Sequence, residues 1–289
     1  MNNFTSFLPP DIDYKKLQGK TITIGAFDGC HLGHQALLAH VDYAVTFDPI
    51  PKDYFSHIHK VLTLRKEKEK LHNKFIFLNF NKALAMLSPE DFMAFIMQVF
   101  KPQKIIIGWD FRFGSHHAGD IDLLNRLAKV YGFELAVQEP VKLGEVIIKS
   151  TTIRDNIQKG HIERANKYLG YHYYYEALVI HGKALGRTIS FPTVNLSIDP
   201  KKTLPPPGVY AGYVHIGQKK YQAAISILQK EKIELEGHIL DFRGDLYGKE
   251  IKMSFVSKVR ESMEFPSLEE LKKQISLDIQ TIRAILNKV

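Results

Sequence analysis

GAFDGCHLGH, Gly25 to His34, is the stretch whose reading decides the fold. It follows TITI (Thr21 to Ile24), a β-branched run that predicts a buried parallel strand. HLGHQALLAH, His31 to His40, then carries the apolar spacing of a helix. A strand, a glycine-containing turn and a helix N-terminus make a site for a phosphate chain. The helix end offers unpaired N–H groups and roughly half a positive charge. His31 and His34, one turn apart, add donors aimed at the same place. Gly33 omits a side chain where a flat base could lie against the backbone. Two other readings stay open on these residues alone: His31 and His34 with Cys30 and Asp28 as metal ligands, or ordinary surface histidines. The Gly-x-Phe-Asp-Gly lead-in directly after a strand favours the nucleotide.

Outward from this stretch, short apolar runs alternate with helical patterns. YAVTF (Tyr43 to Phe47), KFIFL (Lys74 to Leu78), KIIIG (Lys104 to Gly108) and ELAVQ (Glu134 to Gln138) join TITIG as predicted strands. PEDFMAFIMQVF predicts a helix with Ser88 as N-cap and Pro89 at its first position. GDIDLLNRLAKVYG predicts another, stopped by its last glycine. Such alternation implies a parallel α/β sheet. Ligands then bind at the carboxyl ends of the strands, where GAFDG and GWDFRFG both fall.

After about Leu169 the texture changes. YHYYYEALVIHG, GVYAGYVHIG, KKYQAAISIL, KIELEGHILDF and IKMSFVSKV are strand-like and joined by Gly, Pro and Asp turns. One helix follows, with Leu268, Leu271, Ile275, Ile279, Ile282 and Ile285 predicted as a core-facing stripe. The expectation is an antiparallel barrel or sheet domain closed by a single helix. Tyr171, Tyr173, Tyr174 and Tyr175 read as strand and interdomain packing rather than a stacking platform. The domains are expected at 1–168 and 169–289.

Composition bounds the function. The 289 residues suffice for two domains. The net charge of +8, from 39 basic and 31 acidic residues, suits polyanionic partners without choosing between ATP and nucleic acid. A single cysteine, Cys30, excludes an intramolecular disulfide and fits a reducing compartment. MNNFTSFLPPDIDYKK lacks the basic and apolar regions of a signal peptide. FMAFIMQVF (Phe92 to Phe100) is too short to cross a bilayer. A cytoplasmic protein is expected.

Three further stretches carry chemistry. In GWDFRFG (Gly108 to Gly114), Phe111 and Phe113 could flank a flat ring, or pack inward from a tight loop. KSTTIRDNIQKG (Lys149 to Gly160) sets Ser150, Thr151 and Arg154 at a helix start, as a second anion site or a plain N-cap. In HGKALGRTISFPTVNL (His181 to Leu196), Gly182, Lys183, Gly186 and Arg187 form a turn whose N–H groups could cradle phosphates. It is not a P-loop, because no G-K-[ST] follows at the required spacing. Thr193 and Asn195 offer hard oxygens suited to Mg²⁺, although a proline-broken strand is the simpler reading. Glu234, Glu236 and His238 share one face under strand alternation.

H-x-G-H is the signature of nucleotidyltransferases. With GWDFRFG and Ser-Thr-x-Ile-Arg, it resembles the N-terminal module of the prokaryotic bifunctional riboflavin kinase/FAD synthetase family. G-x-x-L-G-R, F-P-T-x-N, PPPGVYAGYV, LEGHILDFRGDLYG and SKVRESMEFPSLEELKKQI are similar to its riboflavin kinase module. The resemblance implies a Rossmann-like α/β nucleotidyltransferase domain followed by an antiparallel β-barrel domain with one terminal helix. It also implies Mg²⁺ and ATP, with riboflavin, FMN and FAD as substrates and products. His31 and His34 would stabilise charge at the α-phosphate, with Gly25, Phe27, Asp28 and Gly33 around the same ATP. Ser150, Thr151 and Arg154 would hold the departing phosphates. Gly108, Asp110, Phe111 and Phe113 would line the flavin. In the second half, Gly182, Lys183, Gly186, Arg187, Thr193 and Asn195 would bind Mg-ATP. Glu236 would be the general base and Arg260 would lie near the flavin.

The chain departs from the family pattern in four places. The segment between His34 and Phe47 is short, FDPIP (Phe47 to Pro51) lacks a histidine, and Lys149 replaces a serine. AAISILQKEKIELE lacks the Asn-Ile-Gly…Arg-Pro-Thr segment. No nucleic-acid or membrane partner is expected. The alternatives are a chain that keeps one of the two activities, and a basic RNA-binding protein on an H-x-G-H fold.

Overall fold

A computed structural model describes residues 4–56, 60–182, 189–229 and 231–288. Its contacts divide the chain into two compact units, Met1–Ser150 and Thr151–Val289. The first unit runs β1 (Thr21–Ile24), α1 (Leu32–Leu38), β2 (Tyr43–Asp48), α2 (Pro51–Phe55), α3 (Arg65–Leu71) and β3 (Phe75–Asn79). It continues through α4 (Lys82–Ala85), α5 (Pro89–Val99), β4 (Lys104–Gly108), α6 (Ile121–Tyr131) and β5 (Glu134–Gln138). A small hairpin of β6 (Lys142–Leu143) and β7 (Val146–Ile147) follows.

The five strands β1 to β5 pair in parallel in the order β3-β2-β1-β4-β5. Their side chains alternate between two apolar layers, as a period of two requires. Ile22, Ile24, Tyr43, Val45, Ile105 and Ile107 join one core cluster, whereas Ala44 and Ile106 join the other. The predicted caps form as well. Ser88 caps α5 with Pro89 behind it, and Gly132 ends α6 in the left-handed conformation. The first crossover helix is abbreviated to the seven residues of α1. The strand order reverses at β1, between β2 and β4. In an open parallel sheet that is where a crevice opens beyond the carboxyl ends of the strands. GAFDG leaves β1 and GWDFRFG leaves β4, so the two glycine-containing loops flank the same switch point.

Helix α7 (Ser150–Gln158) starts at the last residue of the first unit and leads into the second, followed by α8 (Ile162–Leu169). Beyond them lie β8 (Tyr174–Ile180), β9 (Val194–Leu196), β10 (Gly208–Ile216), β11 (Lys219–Gln229), β12 (Ile233–Ile239) and β13 (Glu250–Glu261). They close into an antiparallel barrel in the order β10-β11-β12-β9-β8-β13. Closure removes the exposed sheet edges. The interior is filled tightly at Gly212, where an added Cβ would stand 2.2 Å from the Ser254 carbonyl oxygen.

The last helix, α9 (Leu268–Leu286), covers Val209, Ala211, Tyr213, Ala224, Leu240 and Val256 with Ile282 and Leu286. Burying Ile282 and Leu286 there contributes about 1.5–3 kcal/mol each. Ile279 and Ile285 pack beside them, and Leu271 and Ile275 are half-buried. Leu268 is 56% exposed, which corrects the expected stripe: the residues of the helix that join the barrel-side cluster all come from its second half. The tyrosines are packing residues. Tyr173, Tyr174 and Tyr175 are buried, and the Tyr173 hydroxyl donates to Thr203 O at 2.6 Å. The buried Lys202 places its ammonium 5.1 Å from the Tyr173 ring and 5.2 Å from that of Tyr174.

Candidate active sites

The turn after β1 is built from backbone conformations that side chains disfavour. Phe27 has φ of 49°, Gly29 of 85° and Cys30 of 39°. Only glycine adopts such angles freely, and a bulky residue there costs on the order of 1–3 kcal/mol. The surroundings hold it in place. Lys68, buried on α3, donates from Nζ to Ala26 O at 2.8 Å, and Thr46 Oγ1 donates to the same carbonyl at 3.3 Å. Asp28 Oδ1 accepts from the N–H groups of Leu62 and Thr63 at 2.8 and 3.2 Å, while Gly29 N–H donates to Thr63 Oγ1 at 2.9 Å. Ser150 donates its hydroxyl to Asp28 O at 2.7 Å and so ties the start of α7 to this turn. Such strain persists only where the surrounding contacts over-determine it.

His31 is the N-cap of α1, with Nδ1 accepting the His34 backbone N–H at 3.3 Å. That bond leaves Nε2 to carry the proton of the neutral ring. The two imidazoles stack at 3.6 Å and 17°, and the buried Phe27 meets His34 edge-on at 5.2 Å. A Cβ on Gly33 would approach the His31 ring at 3.2 Å, so the room left by the missing side chain is taken by that imidazole. Gly25 likewise leaves space for the Phe27 ring, 3.2 Å from its Cβ position.

Burial pushes His31 down to about 4, against smaller opposing effects of Asp28 and Asp110. Burial also carries His34 well below the usual histidine range, helped by His31 and Lys68. Both rings are therefore neutral at pH 7 and act as oriented dipoles. The positive charge beside them belongs to Lys68, whose own pKa is lowered first by burial. Lys68, Thr46 and Thr63 were not legible in the sequence. RKEKEKL reads as a solvated charged helix, and nothing in it marks one lysine as buried.

In the loop after β4, Phe113 belongs to the core and Phe111 stacks on it at 5.5 Å and 17°. Of the two readings the sequence left open, inward packing is the one seen, with Phe113 within the core and Phe111 partly buried against it. Trp109 is the exposed aromatic of this loop. Lys149 Nζ lies 4.5 Å from its ring and 3.2 Å from Asp110 Oδ2. Thr151 is exposed and Arg154 half-buried on α7.

In the second unit the site residues meet across strands. Asn195 on β9 stands in register with Glu236 on β12 and with Ile180 on β8, and Glu236 also faces Ser226 on β11. Gly182 closes over Asn195, where an added Cβ would fall 2.3 Å from Asn195 Nδ2. Thr193 and Asn195 are half-buried, as is Glu236. His238, on the same face of β12 as Glu236, has Nδ1 2.8 Å from Pro192 O and its ring 5.6 Å from Phe191. It thereby anchors the Phe191–Asn195 stretch. His181 stacks on Tyr247 at 3.9 Å. Lys183, Gly186 and Arg187 lie outside the described residues. Arg260 donates from Nε and Nη2 to the buried Asp278 of α9 at 3.0 and 2.8 Å, and from Nη1 to Glu261 O at 2.9 Å. Asp278 falls inside the helix's apolar stripe, a buried carboxylate that calls for a cationic partner.

These features define a class: a two-unit chain with a strained, histidine-bearing turn at a parallel-sheet switch point and, in its second unit, polar side chains set in register on a closed β-barrel. The family model described as FAD synthetase matches residues 13–152, and that described as riboflavin kinase matches residues 169–286. The bifunctional riboflavin kinase/FMN adenylyltransferase of Buchnera aphidicola is 34% identical over 92% of this chain and 93% of its own. The Escherichia coli K12 protein of the same name is 31% identical over 92% of each chain. A crystal structure described as a macrolide-efflux protein from Streptococcus pneumoniae is 27% identical, with a TM-score of 0.84 over 98% of this chain and 97% of its own. The chain belongs to the bifunctional riboflavin kinase/FMN adenylyltransferase family. Among the described residues no helix is long and apolar enough to cross a membrane.

Proposed function

We infer that this chain phosphorylates riboflavin to FMN with ATP and then adenylylates FMN to FAD. Residues 1–168 form the adenylyltransferase domain and residues 169–289 the kinase domain. The observation that carries this reading is that one chain joins a parallel sheet, with a glycine-containing turn at its switch point, to a closed barrel, and that the FAD synthetase and riboflavin kinase family models match the two in that order.

In the adenylyl transfer, a phosphate oxygen of FMN attacks the α-phosphorus of ATP. The bond from that phosphorus to the bridging oxygen breaks, and pyrophosphate leaves. No covalent enzyme intermediate is needed, because positioning and electrostatics account for most of such catalysis. His31 and His34, as neutral donors beside the Lys68 charge, stabilise the charge that builds on the α-phosphate oxygens. Gly25, Phe27, Asp28 and Gly33 shape the ATP turn, and Ser150, Thr151 and Arg154 take the outgoing phosphates. Gly108, Asp110, Phe111 and Phe113 form the flavin-side loop, the phenylalanines by supporting it from within.

In the kinase step, the ribityl hydroxyl oxygen attacks the γ-phosphorus, its proton passes to Glu236, and ADP leaves. Glu236 works as base when held within about 3 Å of that hydroxyl. Gly182, Lys183, Gly186 and Arg187 hold the nucleotide, and Arg260, braced by Asp278, lies on the flavin side. The neutral oxygens of Thr193 and Asn195 fit Mg²⁺, which binds through few protein ligands plus substrate phosphates. Bound there, Mg²⁺ neutralises phosphate charge.

The test is incubation with riboflavin, ATP and Mg²⁺ followed by chromatography of the flavins. Both FMN and FAD are expected. His31→Ala should stop at FMN, and Glu236→Ala should fail with riboflavin yet convert supplied FMN. Variants that do not divide in this way overturn the assignment of sites to domains.

A further inference from the structure

Lys149 stands immediately before the Ser-Thr-x-Ile-Arg stretch, where a lysine replaces the serine of the family pattern, and its ammonium does not serve the helix it precedes. The backbone of Lys149 leads into α7, but the side chain crosses to the loop after β4. There Nζ sits 3.2 Å from Asp110 Oδ2 and 4.5 Å from the Trp109 ring. Both partners are partly open to solvent, with 42% of the Lys149 side chain and 53% of that of Asp110 exposed. An exposed ion pair of this kind contributes little to stability. The cation is therefore available to a ligand.

The position of this cation matters because of what must arrive there. Asp110 lies close enough to His31 to act on its protonation, so its carboxylate belongs to the electrostatic surroundings of the histidine pair. The nucleophile of the adenylyl transfer is a phosphate carrying nearly two negative charges. It must reach the histidines past the loop that holds the flavin. A bare carboxylate on that loop would repel it, whereas an ammonium held by the carboxylate and an aromatic face would attract it. Ser150, the next residue, is already bound to Asp28 O, which leaves the spacing between Lys149 and the turn fixed.

Resting on the adenylyltransferase reading above, we propose that Lys149 binds the phosphate of the incoming FMN, with Asp110 and Trp109 holding the ammonium in position. It adds affinity for the phosphorylated flavin beyond what the loop itself provides.

The experiment follows FAD formation from FMN and ATP by the full chain, comparing wild type with K149S and K149R. K149S should raise KM for FMN about ten- to hundredfold, the cost of one charge-assisted contact. KM for ATP should stay within about twofold, as should the rate of riboflavin phosphorylation. K149R should retain most of the FMN affinity. In wild type, KM for FMN should climb as KCl is added, and this salt dependence should flatten in K149S. An unchanged KM for FMN in K149S overturns the proposal, as does an equal rise in KM for ATP. If wild type makes no FAD from FMN, the underlying reading fails instead. Equal melting temperatures of the three proteins exclude a folding effect.

Discussion

His31 and Glu236 stand on backbones of opposite kind. His31 closes a turn in which Phe27, Gly29 and Cys30 are all left-handed, pinned by side chains from β2, α3 and the segment before it. Glu236 stands on a regular strand and meets Asn195 and Ser226 through barrel register. The first site is preorganised by strain and burial, the second by hydrogen-bonded rungs. A strained turn can bury its imidazoles and hold them neutral. A strand face leaves its carboxylate half-buried, within reach of solvent. Each backbone suits the step assigned to it.

Four measurements break or sharpen this contrast. The largest effect is expected from Glu236→Gln, which keeps the strand and removes the base. Riboflavin phosphorylation should fall by about 10²–10⁴ in rate while FMN adenylylation is untouched. His31→Asn should follow, lowering FAD formation from FMN by about 10²–10³ with FMN formation intact. Asparagine still caps a helix, so the loss reports on the imidazole rather than on α1.

The third measurement is stability against pH. The unfolded His31 ring takes a proton below about 6.5, whereas the folded ring does so only near 4. Between those values the unfolded state binds more protons, so stability falls as the pH drops through this window. The loss reaches up to about 3 kcal/mol. Thermal melts at pH 7 and pH 5 should show wild type losing more than His31→Asn; equal losses would mean that the ring is not buried neutral. The smallest effect is expected from Lys68→Met, which removes a charged donor from Ala26 O. It should cost about 1.5–3 kcal/mol, seen as a lower melting temperature and slower FAD formation, with riboflavin phosphorylation unchanged.

Much of the architecture was legible along the chain. KIIIG and ELAVQ form strands at the residues expected, Ser88 caps its helix, and Gly132 stops α6. Those features rest on local rules, the period of a strand or helix and the chemistry of a cap. The glycine-rich motifs were legible for the same reason. Phe111 and Phe113 kept two readings, because alternation along a loop does not say which side the core lies on. Leu268 carries the right spacing for the stripe, but its side chain stays exposed at the first position of the helix. Asp278 was hidden by the opposite error. A carboxylate in an apolar stripe reads as a break in the pattern until Arg260 is found against it.

The sequence by itself determined the alternation that makes a parallel sheet, the strands that make a barrel, and the glycine-containing stretches that mark the candidate sites. Only the tertiary structure decided that the histidines are neutral, that Lys68 supplies the charge beside them, and that Lys149 reaches Asp110 rather than its own helix. It also decided that Asn195 stands opposite Glu236. The reason is the range of the forces involved. Periodicity and capping act over a few residues, whereas protonation and register depend on what the folded chain brings alongside from tens of residues away.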